Sequence, residues 1–210
     1  TPIQHRTMLL AMADLAPDFT TASADIGVKP TIRRPTPAAV GMAVWLGSEV
    51  MFFSGLFAAW FTLRSANDPW PPAGIGLEVW RTAIFTVLLV ASSGTMILSH
   101  RAAERRQMRA AIGWGGLTLA LGIAFMANQT VEYLGNGFTM DSGGAYGSIY
   151  YLLTGFHGLH VVLGLGLLVF YLTALRTETD TPGFRLATDW YWHFVDVVWV
   201  AVFLTVYVIG

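Results

Sequence analysis

The sequence contains no cysteine, and only 12% of its 210 residues are charged. Without thiols there is no disulfide framework, no thiolate metal centre, no iron–sulfur cluster and no CxxCH haem attachment. A soluble domain usually carries about 25% charged residues, so so low a content argues for a chain that lives in lipid. The formal net charge of −1 offers no electrostatic footprint for a nucleic acid, and none is expected as a partner. Two further patterns are missing. Nothing alternates with period two over the length a barrel strand needs, and no internal repeat of the kind used by transporters is visible.

Apolar surface takes the place of charge. Hydrophobic residues make up 54% of the chain and aromatic residues 13%, with a mean hydropathy of +0.55. A bilayer core of about 30 Å needs roughly 20 apolar residues in a helix. Five runs qualify: 40–63, 79–99, 110–133, 146–175 and 190–210. Backbone in lipid must satisfy its own hydrogen bonds, so these runs predict an all-α fold, a polytopic transmembrane bundle of five helices spanning 39–210. The fourth run is longer than a crossing requires and is expected to tilt or to end in the interface.

The connections are short and strongly punctuated. "SANDPWPPAGIG" (65–76) cannot continue a helix through its prolines; "GNGFTMDSGGAYG" (135–147) is glycine-rich; "TETDTPGFR" (177–185) reads as a polar turn. Orientation follows from the cations. Arg6, Lys29, Arg33, Arg34, Arg101, Arg105, Arg106, Arg109, Arg176 and Arg185 share one side, and only Arg64 and Arg81 fall on the other. The N-terminus is therefore expected in the cytoplasm and the C-terminus outside. Residues 1–38 are separate in character: "TMLLAMADLA" is apolar, interrupted by Asp14 and too short to span. Arg6 ahead of an apolar stretch has the form of a secretory leader, yet no clear cleavage site follows. The segment reads better as a cytoplasmic arm or an interfacial helix.

Ionisable residues within spans are costly and mark function by default. Glu49, the sole ionisable residue of the first run, lies roughly 14 Å in from its cytoplasmic start. His157 and His160 lie roughly 16 and 21 Å from the outer end of the fourth run, and Asp189, His193 and Asp196 within about 10 Å of the inner end of the fifth. These groups form a layer in the central and cytoplasmic half. A neutral glutamate or a Glu–His pair costs far less there than a bare charge. Each pair of histidines and carboxylates sits at i, i+3 on one helix face. Such pairs could serve a metal or a proton relay, or a polar seam that sets helix register or holds lipid headgroups. Two histidines with carboxylates lack the ligand set of a catalytic haem or copper, which favours the seam. Glu132, in "NQTVEYLG", is expected near the outer interface, facing a partner rather than the interior. Most tryptophans, Trp45, Trp190 and Trp192 among them, are expected to anchor at the interfaces or to touch another subunit.

Three stretches carry a more specific signal. "WLGSEVMFFSGLFAAWF" (45–61), "YLLTGFHGLHVVLGLGLL" (151–168) and "WYWHFVDVVWVAVFLTVY" (190–207) together resemble subunit III of the haem–copper terminal oxidases, specifically of cytochrome c oxidase. The likeness covers about 40–210 and is to a short five-helix bacterial form. It implies a non-catalytic subunit in a bacterial plasma membrane, with no catalytic residue, cofactor or metal of its own. Haem and copper are expected in partner subunits I and II of an aa3-type enzyme that reduces oxygen to water. The chain would stabilise subunit I and support proton uptake. By motif, Glu49 matches the buried glutamate of the SEVxFF stretch, His157 and His160 the histidines of GFHGLH, and His193 with Asp196 those of YWHFVD. Ala39 and Ala58 stand where longer forms carry Arg and Trp. Phospholipids are implied as partners, and a cytochrome bc complex where the oxidase joins a larger respiratory assembly. A quinol oxidase or a nitric-oxide-reductase-associated homologue is the near alternative; an independent proton transporter is the more distant one.

Overall fold

A computed structural model describes residues 36–210. The expected N-terminal arm, apart from its last three residues, lies outside the described residues. The rest forms five long helices: α1 (Pro37–Ala66), α2 (Val79–Glu104), α3 (Met108–Gly135), α4 (Gly144–Arg176) and α5 (Pro182–Phe203), which runs on into a π-helical turn at Leu204–Val208. All five are long and apolar enough to cross a membrane, and the described residues contain no strand. The 33 residues of α4 extend about 50 Å, which exceeds the apolar core and leaves its ends in the headgroup region unless it tilts.

Local chemistry sets the helix ends. Thr-Pro opens both α1 and α5. Thr36 accepts from Ala39 N at 3.3 Å and Thr181 from Phe184 N at 3.3 Å, with proline at the first helical position. A hydroxyl thus takes up an orphan amide while the proline ring presets φ. The second of these signals corrects the sequence expectation for 177–185. The polar turn ends at Thr181, and α5 begins well before the apolar run because its first two turns, carrying Arg185 and Asp189, are amphipathic. Arg185 is paired with Asp180 just ahead of the helix. Between α2 and α3 the chain reverses within Arg105–Gln107. Gln107 N donates to Ala102 O at 2.9 Å and Arg106 N to Ala103 O at 3.0 Å, with Arg106 at φ 58°. These are the paired bonds that close a helix when the next residue turns left-handed.

Helix α5 is the hub. It packs against α1, α2 and α4, while α3 packs on α2 and α4, and α1 rests on α4 and α5. Its buried residues Tyr191, Trp192, Val195, Val198, Trp199, Val202 and Val206 recur at helical spacing and face three neighbours at once. Trp192 is admitted by two glycines. A Cβ on Gly122 of α3 would lie 2.7 Å from Trp192 Cη2, and one on Gly164 of α4 would lie 3.1 Å from Trp192 Cε3. In contrast, α1 fully buries only Ala39, Phe53 and Trp60; Met42, Leu46, Leu56, Phe57 and Leu63 pack partly against the core, and Val44, Val50, Met51 and Phe61 are exposed.

Candidate functional site

The expected polar layer divides into separate places. The first joins α1 to α4. Glu49 Oε2 lies 3.1 Å from His160 Nε2, and Trp45 Nε1 donates to Glu49 Oε1 at 2.8 Å. On its other side His160 Nδ1 is 2.7 Å from the carbonyl oxygen of Phe156. A carbonyl only accepts, so Nδ1 carries a proton. The contact between Nε2 and the carboxyl group then needs a proton of its own, on one partner or the other. In either arrangement the pair is neutral overall, which makes it tolerable in lipid. The side chains remain 17% and 8% exposed, Glu49 and His160 respectively. Around them Tyr191 OH donates to His160 O at 3.0 Å, and the Trp45 ring stacks on Tyr191 with centroids 5.4 Å apart. Phe53 meets the imidazole edge-on at 5.2 Å. Helices α1, α4 and α5 are thereby tied at one level.

The second place lies between α2 and α5. Ser93 Oγ donates to Asp196 Oδ2 and sits 2.8 Å from His193 Nδ1. A serine hydroxyl has one proton, so His193 Nδ1 is the donor to it. His193 Nε2 is 3.5 Å from Asp189 Oδ1, and His100 Nδ1 is 3.7 Å from Asp189 Oδ2. Glu104 follows at 3.7 Å from His100 Nε2. Glu104, His100, Asp189, His193 and Asp196 therefore form a row that starts at the arginine-rich end of the bundle and reaches inward to a buried carboxyl group. Asp189 belongs to the layer expected from the sequence, whereas His100 and Ser93 are added by the structure. The signal was available in the i, i+4 spacing of Asp189 and His193, but their partners on α2 could be found only from the fold.

His157 joins neither group. It is 1% exposed, with its ring between Phe125 at 6.0 Å and Trp199 at 4.8 Å. Neither ring nitrogen has a hydrogen-bond partner among the described residues.

Glu132 overturns its expected placement at the outer interface. It is 2% exposed and is the best-furnished carboxyl group in the bundle. Tyr207 OH donates to Oε1 at 2.6 Å and Tyr150 OH at 3.1 Å, while Thr82 Oγ1 lies 2.8 Å from Oε2. Residues of α2, α3, α4 and the terminal π turn thus converge on one group. The physical reason is helical phase: Glu132 shares the buried stripe of α3 with Gly122, Phe125 and Gln129. Trp192 is a second correction. It is fully buried and donates to Ser92 Oγ at 2.9 Å, so it can touch neither another subunit nor a headgroup. Trp60 and Trp199 are likewise core residues, whereas Trp45 and Trp190 are each 39% exposed.

Among the described residues, no group of three or more His, Asp or Glu is arranged to hold a metal ion. His160 and His193 also do not suit a haem, since their ring nitrogens are already engaged by Phe156, Glu49, Ser93 and Asp189.

Residues 3–210 match the protein family described as cytochrome c oxidase subunit III. A probable cytochrome c oxidase subunit 3 of Nocardia farcinica is 42% identical over 183 residues, covering 84% of this chain and 90% of the relative. The cytochrome c oxidase subunit 3 of Corynebacterium diphtheriae is 38% identical over 187 residues, covering 85% of this chain and 91% of the relative. That of Latimeria chalumnae is 38% identical over 178 residues, which take in 80% of this chain but 67% of a longer relative.

Proposed function

Because the chain belongs to the cytochrome c oxidase subunit III family, we propose that it is the non-catalytic core subunit of an aa3-type cytochrome c oxidase in a bacterial plasma membrane. In this reading it stabilises subunit I and supports proton uptake while the assembly reduces oxygen to water. The observation that carries the reading is the family match over residues 3–210. Haem and copper belong in this reading to the neighbouring subunits I and II, a division with which the engaged ring nitrogens of His160 and His193 agree. Arg101, Arg105, Arg106, Arg109, Arg176 and Arg185 cluster at the end where α1 and α5 begin, against Arg64 and Arg81 at the other, which supports a cytoplasmic N-terminal side. The row from Glu104 to Asp196 opens at that same end. Groups that exchange protons there would serve uptake without belonging to the reaction centre.

Purification through an affinity tag on this chain, in mild detergent, tests the assignment. Subunits I and II are expected to copurify, with the absorbance of a-type haem and with a dicopper site in subunit II. A subunit II lacking that copper would make the assembly a quinol oxidase, the second reading. Recovery of the chain without oxidase subunits, or proton flux through liposomes containing this chain alone, would overturn the assignment.

A further inference from the structure

We propose that the tip of the α2–α3 hairpin holds the headgroup of an anionic phospholipid, a site that depends on neither Glu49 nor the oxidase reading. A cavity of about 220 Å³ opens there, lined by Leu98, Arg101, Ala102, Arg105, Gln107 and Trp114 with Ala110. Its composition is divided as a lipid is. Leu98, Ala102 and Ala110 form an apolar wall, and the two guanidiniums offer forked donors that suit a phosphodiester. Neither arginine makes an ion pair with a described residue. The one carboxylate nearby in sequence, Glu104, faces His100 at 3.7 Å and does not line the cavity.

Depth agrees with chemistry. Helix α2 has 26 residues and α3 has 28, lengths of roughly 40 Å that carry the hairpin beyond an apolar core of about 30 Å. Arg101 and Arg105 thus fall at the phosphate level, and Trp114, two turns into α3 and 40% exposed, falls at the glycerol level where indoles settle. Helix α3 also begins at the cavity. Its N-cap residue Gln107 makes no side-chain capping bond, so first-turn amides add positive potential to that of the guanidiniums. Arg106 and Arg109 flank the site and are exposed. A basic pocket between spanning helices at the interface is the arrangement that selects acidic headgroups.

The test uses the intact complex in nanodiscs, with photoactivatable phosphatidylglycerol or phosphatidylcholine as probe and cross-links mapped by mass spectrometry. Phosphatidylglycerol is expected to label residues 98–114 several-fold more than phosphatidylcholine. R101Q/R105Q should lower that labelling by about tenfold, while R101K/R105K, which keeps the charge but loses the forked donors, should fall between the parent and R101Q/R105Q. Copurification of the partner subunits establishes that each variant is assembled. Equal labelling by the two probes, unchanged labelling in R101Q/R105Q, or coverage of the hairpin by a protein segment that excludes lipid would overturn the proposal. Displacement of the probe by millimolar inorganic phosphate would also overturn it, since the pocket would then be a site for free anions.

Discussion

Glu49 and Glu132 both stand on membrane-spanning helices, and each accepts a hydrogen bond from an aromatic side chain, but the surroundings differ. Glu132 is enclosed by α2, α3, α4 and the terminal turn, with three hydroxyl groups on its two oxygens. Glu49 has one indole and one imidazole, on a helix that buries only three of its residues. The first arrangement is a core knot: without the carboxyl group Thr82 keeps only the Glu78 carbonyl oxygen at 3.1 Å, and Tyr150 and Tyr207, 3.3 Å apart, keep one acceptor between two hydroxyl protons. The second is a seam between α1 and the rest of the bundle, open on one side to whatever surrounds it. Family likeness directs attention to Glu49, whereas packing makes Glu132 the group on which the fold leans.

The largest effect should come from breaking the knot. E132A leaves one of the Tyr150 and Tyr207 hydroxyls buried without an acceptor, since only one can donate to the other, at about 1–3 kcal/mol, and it opens a cavity where the side chain stood. A destabilisation on the order of 3 kcal/mol is expected from the two costs together, read as a lowered thermal midpoint of the assembled complex by tryptophan fluorescence. E132Q, which keeps one acceptor oxygen, should fall between. If E132A shifts the midpoint no more than a Glu49 substitution does, the distinction between the two glutamates is gone.

A smaller effect separates the same two regions without touching a charge. In G122A the new methyl would lie 2.7 Å from Trp192 Cη2 and 2.8 Å from Leu165 Cδ2. The indole cannot retreat, because Gly164 already sits against its other edge. A cost of about 1–3 kcal/mol is expected. Gly55 on α1 has no atom within 4 Å of the corresponding position, so G55A should stabilise its helix by up to about 1 kcal/mol. Paired melting curves give opposite signs if α1 is peripheral as described, and the same sign if a close neighbour confines Gly55.

What could be read from the sequence follows the same division. The five spans were legible because length and apolar content suffice to identify a crossing helix. The start of α5 was not, because its first turns carry Arg185 and Asp189 and look like loop until the Thr-Pro start signal is given weight. Nearness to a helix end suggests an interfacial Glu132, but helical phase decides: its four-residue step from Asn128 and seven-residue step from Phe125 put it on the buried stripe. The pairing of Glu49 with His160, rather than with His157, depends on the rotation of α1 against α4. Spacing within one helix holds no record of that rotation, and neither does the likeness of the GFHGLH stretch.

The smallest effect belongs to Glu49 and follows from the proton count. With the Phe156 carbonyl holding a proton on His160 Nδ1, the neutral imidazole presents a lone pair at Nε2. A glutamine at position 49 can turn its amide nitrogen to that lone pair and keep its oxygen for the Trp45 indole, so both bonds of the parent survive in E49Q. A stability change within about 1 kcal/mol is expected, and under the proposed function, which puts the chemistry in other subunits, the initial rate of oxygen consumption stays largely intact. E49L, which can make neither bond, should cost more than E49Q and less than E132A. Infrared difference spectra locate the shared proton: loss of a protonated carboxyl band in E49Q puts it on the glutamate, and loss of an imidazolium signature puts it on His160. Immediate loss of turnover in a fully assembled E49Q complex would contradict a seam and make this glutamate part of the working machinery.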